Sequence, residues 1–153
     1  QIPNYADFDF LTSSKTIEGN RVLAAAVLQG DAGTVSSQIK EGADPNGRWF
    51  GLSYLYYAVD QGHTSVVTVL LSAGADINAQ SGPAARTALH QAVRKGNVEL
   101  VALLLKLGAN RRIATTHGRT PLDYAINPPA PLNVPPNSEV IAQMLSGTIE
   151  GRP

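Results

Sequence analysis

Thr87-Ala88-Leu89-His90-Gln91-Ala92, then Gly96-Asn97, then Leu100, Val101, Leu104 and Leu105, then Gly108-Ala109: this 153-residue chain writes the same block four times. Gly42-Ala43-Asp44-Pro45-Asn46 and Gly74-Ala75-Asp76-Ile77-Asn78 match its end, and counting back from them puts unit starts at Arg21, Ser53 and Thr87. A fourth start falls at Thr120-Pro121-Leu122-Asp123-Tyr124-Ala125, so the intervals are 32, 34 and 33 residues. Self-similarity at that period means a stack of small units, none of which buries its apolar face alone.

Each unit divides into two short apolar-periodic stretches. The alanines Ala26, Ala58, Ala92 and Ala125 hold one equivalent position of the first stretch, where a small side chain lets two helices approach closely. Gly30, Gly62 and Gly96 end that helix at a place that needs a left-handed residue. Asp31 and Asn97 follow as caps for the second helix, with His63-Thr64-Ser65 as a weaker version. The second stretch then reads Val66, Val67, Val69, Leu70, Leu71 in one unit and Val98, Leu100, Val101, Leu103, Leu104, Leu105 in the next. A helix apolar almost all round lies between neighbours. The turn formers after Gly-Ala-Asp predict a short extended hairpin, a finger, projecting from the stack.

These residues resemble the ankyrin repeat family. Its Thr-Pro-Leu-His-x-Ala pattern is similar to Thr87–Ala92 and Thr120–Ala125, and its Leu-Leu-x-x-Gly-Ala-Asp-x-Asn pattern to Leu70–Asn78. The resemblance implies a mostly α fold, an ankyrin-repeat solenoid of β-hairpin/α-hairpin repeats with about four stacked units. It covers residues 20–147, divided into units 21–52, 53–86, 87–119 and 120–147. The first unit has Arg21-Val22-Leu23-Ala24 in place of the threonine-led turn, and its second helix carries Ser36, Ser37 and Gln38, as befits an end unit with a wet outer face. In the second, Tyr54 and Tyr56 stand where proline and histidine are usual. The fourth is broken by a proline-rich insertion, residues 127–137, which holds five of the chain's ten prolines and predicts an extended loop.

Residues 1–19, with Tyr5, Phe8, Phe10 and Leu11 among acidic neighbours, form an N-terminal flank expected either to cap the first unit or to reach a partner as an arm. Residues 148–153 form a tail. Its Ile149-Glu150-Gly151-Arg152 matches an engineered protease site, yet Thr16-Ile17-Glu18-Gly19 repeats Thr148–Gly151, which equally suits a native lead-in. Gln1 reads as the start of a piece of something larger.

Composition fits a single unit burying roughly 70% of its extended surface. The formal charge is zero and cysteine is absent, which suits a reducing, intracellular compartment, cytoplasmic or nuclear. The longest apolar stretch, Val22–Leu28, is too short to span a bilayer, so no membrane partner is expected.

In the resembling family, partners are held by finger tips and by the exposed side of the first helices. Carried over position by position, the candidate partner-binding residues are Trp49, Phe50 and Leu52 before the second unit's turn, and Tyr57, Asp60 and Gln61 on its first helix. The third unit adds Arg86, Arg94 and Lys95, and the fourth His117 and Arg119; an extra residue in Ser81–Ala85 shifts the third finger's tip. Trp49-Phe50 is the most telling pair, because the repeat uses no large aromatic there and five of the nine aromatic residues fall between Trp49 and Tyr57. The bland alternative is that Trp49 folds back to pack its own finger.

Charge is uneven despite the zero total. Residues 1–80 carry a net −4 and residues 81–125 a net +5. A solvated face is one reading; the sharper one is a groove with an aromatic wall and a guanidinium-rich wall, suited to a segment with apolar anchors followed by Asp, Glu or phosphate. Nucleic acid is disfavoured, since the basic and aromatic residues lie in different units. No enzyme is expected: His63, His90 and His117 occupy three different places in the repeat, and neither a metal-ligand cluster nor a phosphate loop is present. Hence no cofactor, no metal and no catalytic residue are expected. The expected function is a monomeric, non-catalytic protein-protein interaction module, an adaptor or targeting domain; the alternative is regulation in cis of a neighbouring catalytic domain.

Overall fold

Gly30, Gly62 and Gly96 take φ of 77°, 73° and 65°, the left-handed conformation in which a Cβ is penalised, and each breaks its unit into two antiparallel helices. The computed structural model describes residues 10–147, with the backbone alone for residues 10–19. Four helix pairs follow one another: α1 (Phe10–Gln29) with α2 (Ala32–Lys40), α3 (Tyr54–Asp60) with α4 (Thr64–Ser72), α5 (Ala88–Lys95) with α6 (Val98–Lys106), and α7 (Pro121–Ile126) with α8 (Ser138–Ser146). One antiparallel hairpin, β1 (Arg48–Trp49) and β2 (Leu52–Ser53), precedes α3, with Arg48 opposite Ser53 and Trp49 opposite Leu52. The mostly helical solenoid read from the repeat is the architecture observed.

The first helices stack in file, α1 on α3 on α5 on α7, while α2 packs on α4 and α6 on α8. Ala26, Ala58, Ala92 and Ala125 are all buried where those first helices meet, as their small size requires. The core continues through Leu23, Val27 and Val35, then Leu55, Val66, Val67 and Leu70, then Leu89, Leu100, Val101 and Leu104, and closes on Tyr124, Ile141 and Leu145. In α2 only Val35 is buried, consistent with a wet end unit. α1 runs unbroken from Phe10 through Arg21, so the first unit enters on a long helix. The expected roles of Tyr5 and Phe8, and the tail at 148–153, lie outside the described residues. Among the described residues no helix is long and apolar enough to cross a membrane.

Polar groups are matched from unit to unit. Asp31 and Asn97 cap as expected, accepting from Thr34 N–H and Leu100 N–H, both at 3.0 Å. His63 does not: its side chain makes no cap, and its Nε2 instead meets the Leu28 carbonyl at 2.9 Å, tying the second unit to the first. The Asp-x-Asn turns form a ladder. Asn46 Oδ1 accepts from Asp76 N–H (2.7 Å), and Asn78 Oδ1 accepts from Asn110 N–H (2.8 Å), each reaching into the following unit. The proline-rich segment is a loop, as expected, but a folded one: Leu132 N–H returns to the Pro129 carbonyl and the Leu132 side chain packs against the core.

His90 is wholly buried and closes a capping box with Thr87. Its Nδ1 accepts from Thr87 N–H (3.1 Å), so Nε2 carries the proton and donates to the Arg119 carbonyl one unit on (3.0 Å). Burial is the main cause that holds its pKa below the ordinary histidine value of 6.5. The unfolded chain therefore protonates first as pH falls. The stability that the neutral ring contributes is present above about pH 6.5 and is lost as pH drops toward the depressed folded value.

Urea unfolding at stepped pH should show the unfolding free energy declining from pH 7 to pH 5, with His90→Gln lowering stability overall and flattening that decline. Leu104→Ala should cost about 2–5 kcal/mol in the same assay by opening a core cavity.

Candidate functional site: the fingers and the inner helix face

The finger at β1–β2 turns through Phe50 and Gly51, whose φ values of 48° and 77° are both positive. That is a tight hairpin turn of the kind that selects Asn-Gly or Asp-Gly. Phenylalanine there is unfavourable, since an L-residue in the left-handed region costs about 1–2 kcal/mol. The ring gains little burial in return: Phe50 is 88% exposed, the most exposed large apolar residue of those described, with the Trp49 ring edge-on at 5.2 Å.

Trp49 itself is half-buried and packed against the core, so the reading in which it helps to hold its own finger is partly realised. Its carbonyl accepts from the Tyr57 hydroxyl (2.9 Å), which ties the finger to α3. Leu52 is also half-buried, so close to Gly82 of the next finger that a Cβ there would stand 3.2 Å from its Cδ2. Arg48 bridges the same gap by donating to the Gly51 and Gln80 carbonyls (3.2 and 2.9 Å). Thr116 N–H then reaches the Ala84 carbonyl (3.0 Å), so three successive fingers are joined edge to edge into one wall.

Along the first helices runs a polar network. The Asp60 carboxylate accepts from the Gln91 and Gln61 side-chain amides and pairs with Lys95 at 3.3 Å. Gln91 Oε1 accepts twice, from the Tyr56 hydroxyl (2.8 Å) and from Arg94 Nη1 (2.7 Å). Tyr57 lies one turn before Asp60; burial first, and then the Asp60 charge, push its hydroxyl pKa up. Trp49, Tyr57, Asp60 and Arg94 are thus linked in sequence, the last two through the buried Gln91.

An isolated bridge sets Arg86 opposite Ser81, with Ala85 at the left-handed position of the turn (φ 51°), so Arg86 belongs to the finger's base. Its guanidinium donates to the hydroxyls of Tyr56 (3.3 Å) and Tyr124 (3.4 Å), which ties α3 to α7 across the intervening α5. His117 is exposed on the finger that precedes α7, near Thr116. Arg119 is half-buried, its carbonyl taken by His90 and its Nη1 donated to the Asn127 carbonyl (2.6 Å). Three participants went unread: Arg48, Tyr56 and Gln91. Tyr56 alone left a signal, as a tyrosine standing at the usual histidine.

Comparisons with known proteins agree on the repeat. A family model described as "Ankyrin repeats (3 copies)" matches residues 2–81, and one described as "Ankyrin repeats (many copies)" matches residues 70–125. The chain is similar to BRCA1-associated RING domain protein 1 of Caenorhabditis elegans, 33% identical over 118 residues, covering 77% of the chain and 17% of that protein. It is similar also to the nuclear factor NF-kappa-B p105 subunit of Gallus gallus, 38% identical over 114 residues, 70% of the chain and 11% of the relative. To the E3 ubiquitin-protein ligase KEG of Arabidopsis thaliana it is 46% identical over 61 residues, 40% of the chain and 4% of the relative. The chain therefore spans about a sixth or less of these relatives' length.

Phe50→Asn should raise the unfolding free energy by about 0.5 kcal/mol, the relieved left-handed strain less the lost ring contact. Chemical denaturation beside the parent chain checks it, and a fall in stability would mean the ring supports the finger.

Proposed function

Because this chain belongs to the ankyrin repeat family, we propose that it is a non-catalytic protein-binding module, an adaptor or targeting segment, that grips an extended segment of another protein. The observation that carries this reading is Phe50: a large apolar ring, 88% exposed, placed at a strained turn position where Asn would be more stable. Strain held at one exposed residue is a mark of function, because the fold gains nothing from it.

The segment lies along Trp49, Phe50 and Leu52 on the finger wall and along Tyr57, Asp60, Gln61, Arg94 and Lys95 on the helix face, with His117 and Arg119 at the far end. Its apolar anchors meet the aromatic residues. Acidic groups face the half of the stack that carries the net +5. Arg86 supports this surface through its tyrosine contacts and does not meet the partner. Relatives many times longer than the chain support a second reading, in which the bound segment lies elsewhere in the same polypeptide.

Selection of displayed random peptides on the immobilised domain tests the proposal. Enriched sequences should place an aromatic or long aliphatic residue ahead of Asp or Glu. Phe50→Asn should weaken their binding about thirtyfold, the equivalent of about 2 kcal/mol, without loss of thermal stability. No enrichment, or enrichment indifferent to Phe50, would refute it.

A further inference from the structure

The far end of the stack carries a trough of about 520 Å³, with Leu122, Ala125 and Ile126 of α7 as its floor and Val134 of the proline-rich loop and Ala142 of α8 beside them. These are not ordinary surface positions. Counted from the capping residue of each first helix, Leu122 stands where Leu55 and Leu89 do, and Ile126 where Val59 and Val93 do. In the second and third units, each with another unit stacked on it, those four residues are no more than 2% exposed. In the fourth, which has no following unit among the described residues, Leu122 is half-buried and Ile126 is 60% exposed. The face that elsewhere receives the next first helix is thus open.

Two replacements make the face unsuited to a further unit of the same kind. Counted from the cap of each second helix, Gln143 takes the place that Val69 and Leu103 hold in α4 and α6, where both pack against the core. Arg112 takes the place of Asn46 and Asn78, whose side-chain oxygens accept from the next unit's backbone. An arginine has no acceptor to lend. With Arg111, it lines a second concavity of about 770 Å³ that shares Leu122 and Ser146 with the trough, so the apolar floor runs into a basic cleft. Arg111 is anchored there, donating from Nη1 to the Leu145 carbonyl (3.1 Å), and no carboxylate is among the described residues that line the cleft. The trough's own acid, Glu139, lies at the start of α8, roughly 10 Å along the helix from Ser146.

We infer that this end face docks an acidic amphipathic helix of another protein, its apolar side on Leu122, Ile126 and Val134 and its carboxylates in the cleft of Arg111 and Arg112. A helix suits the face because α3, α5 and α7 each fill the equivalent place on the unit before them. Acidic character follows from the two guanidinium groups at one end of the trough. None of these residues belongs to the inner groove, so the chain has a second docking face.

A displayed library of helices, random on one face, tests this on the intact chain, with the Ile126→Gln variant used to remove binders of other surfaces. Ile126 and Arg112 are both exposed, so neither substitution disturbs the core. Enriched helices should carry apolar residues at i, i+3, i+4 and i+7 and cluster Asp or Glu at one end. Ile126→Gln should weaken a selected helix about tenfold or more. Arg112→Gln should weaken it about fivefold at low salt, the difference shrinking as salt rises, and Phe50→Asn should leave it unchanged. In the unsubstituted chain the bound helix should shift the methyl resonances of Leu122, Ile126 and Val134. No enrichment, enrichment of neutral or basic helices, indifference to Arg112, or unmoved methyls would overturn the proposal. So would sedimentation showing a dimer of the chain that Ile126→Gln dissolves, which would assign the face to a second copy. The inner groove is judged through Phe50 and this face through Ile126, so either can fail alone.

Discussion

A unit of this protein cannot satisfy its own backbone. The fingers and turns expose N–H and C=O groups that no helix or sheet ladder absorbs, and such groups are costly unless matched. The structure meets the need by lending side chains forward. Asn46 serves Asp76, Asn78 serves Asn110, and the His90 ring serves Arg119, while Ser81 Oγ lends backward to Ser53 N–H at 3.0 Å. Apolar contact between helix faces is non-directional, whereas these bonds need a donor aimed at its acceptor, and they help to hold successive units in one register.

Register in turn decides the character of the inner face. Because the first helices stack in file, side chains about thirty residues apart become neighbours, and Tyr56, Gln91 and Asp60 meet through two hydrogen bonds, with Arg86 and Tyr124 completing the set. Buried polar networks of this kind are favourable only when fully satisfied. Here each acceptor is matched, and the imbalance collects at one atom, Arg94 Nε. A stack with strict register can confine its unmet chemistry to a chosen place, which a loosely packed core cannot do.

How much of this was legible in the residues follows from the range of each interaction. Gly30, Gly62 and Gly96, the caps Asp31 and Asn97 and the buried alanines were all readable, because each depends on a few adjacent letters or on an equivalent place in the repeat. His63 was misread as a weak cap since the competing acceptor, the Leu28 carbonyl, lies 35 residues away. The third unit's finger tip was unreadable for a similar reason: the extra residue leaves the turn open, and only the turn conformation, with Ala85 at the left-handed position, settles it. On the candidate surface, Trp49 and Phe50 stood out as aromatics foreign to the repeat. Nothing in the letters distinguished the half-buried one from the exposed one, because adjacent residues at a hairpin turn differ in exposure according to turn geometry.

That difference matters for how the surface works. Trp49 is held from two sides, by core packing on its ring and by Tyr57 on its carbonyl, so it presents a fixed platform. Phe50 projects from that platform with one neighbouring ring against it. The order already present in the finger would lower the entropy lost to a partner of the proposed kind, because the backbone is set by the turn and only side-chain rotation remains to be fixed. At the other end, Arg94 is held by the bond from its Nη1 to Gln91. The two ends are joined through the hydrogen bonds of α3 and α5. The distance from the aromatic finger to the Arg94 guanidinium is therefore set by the register of the stack.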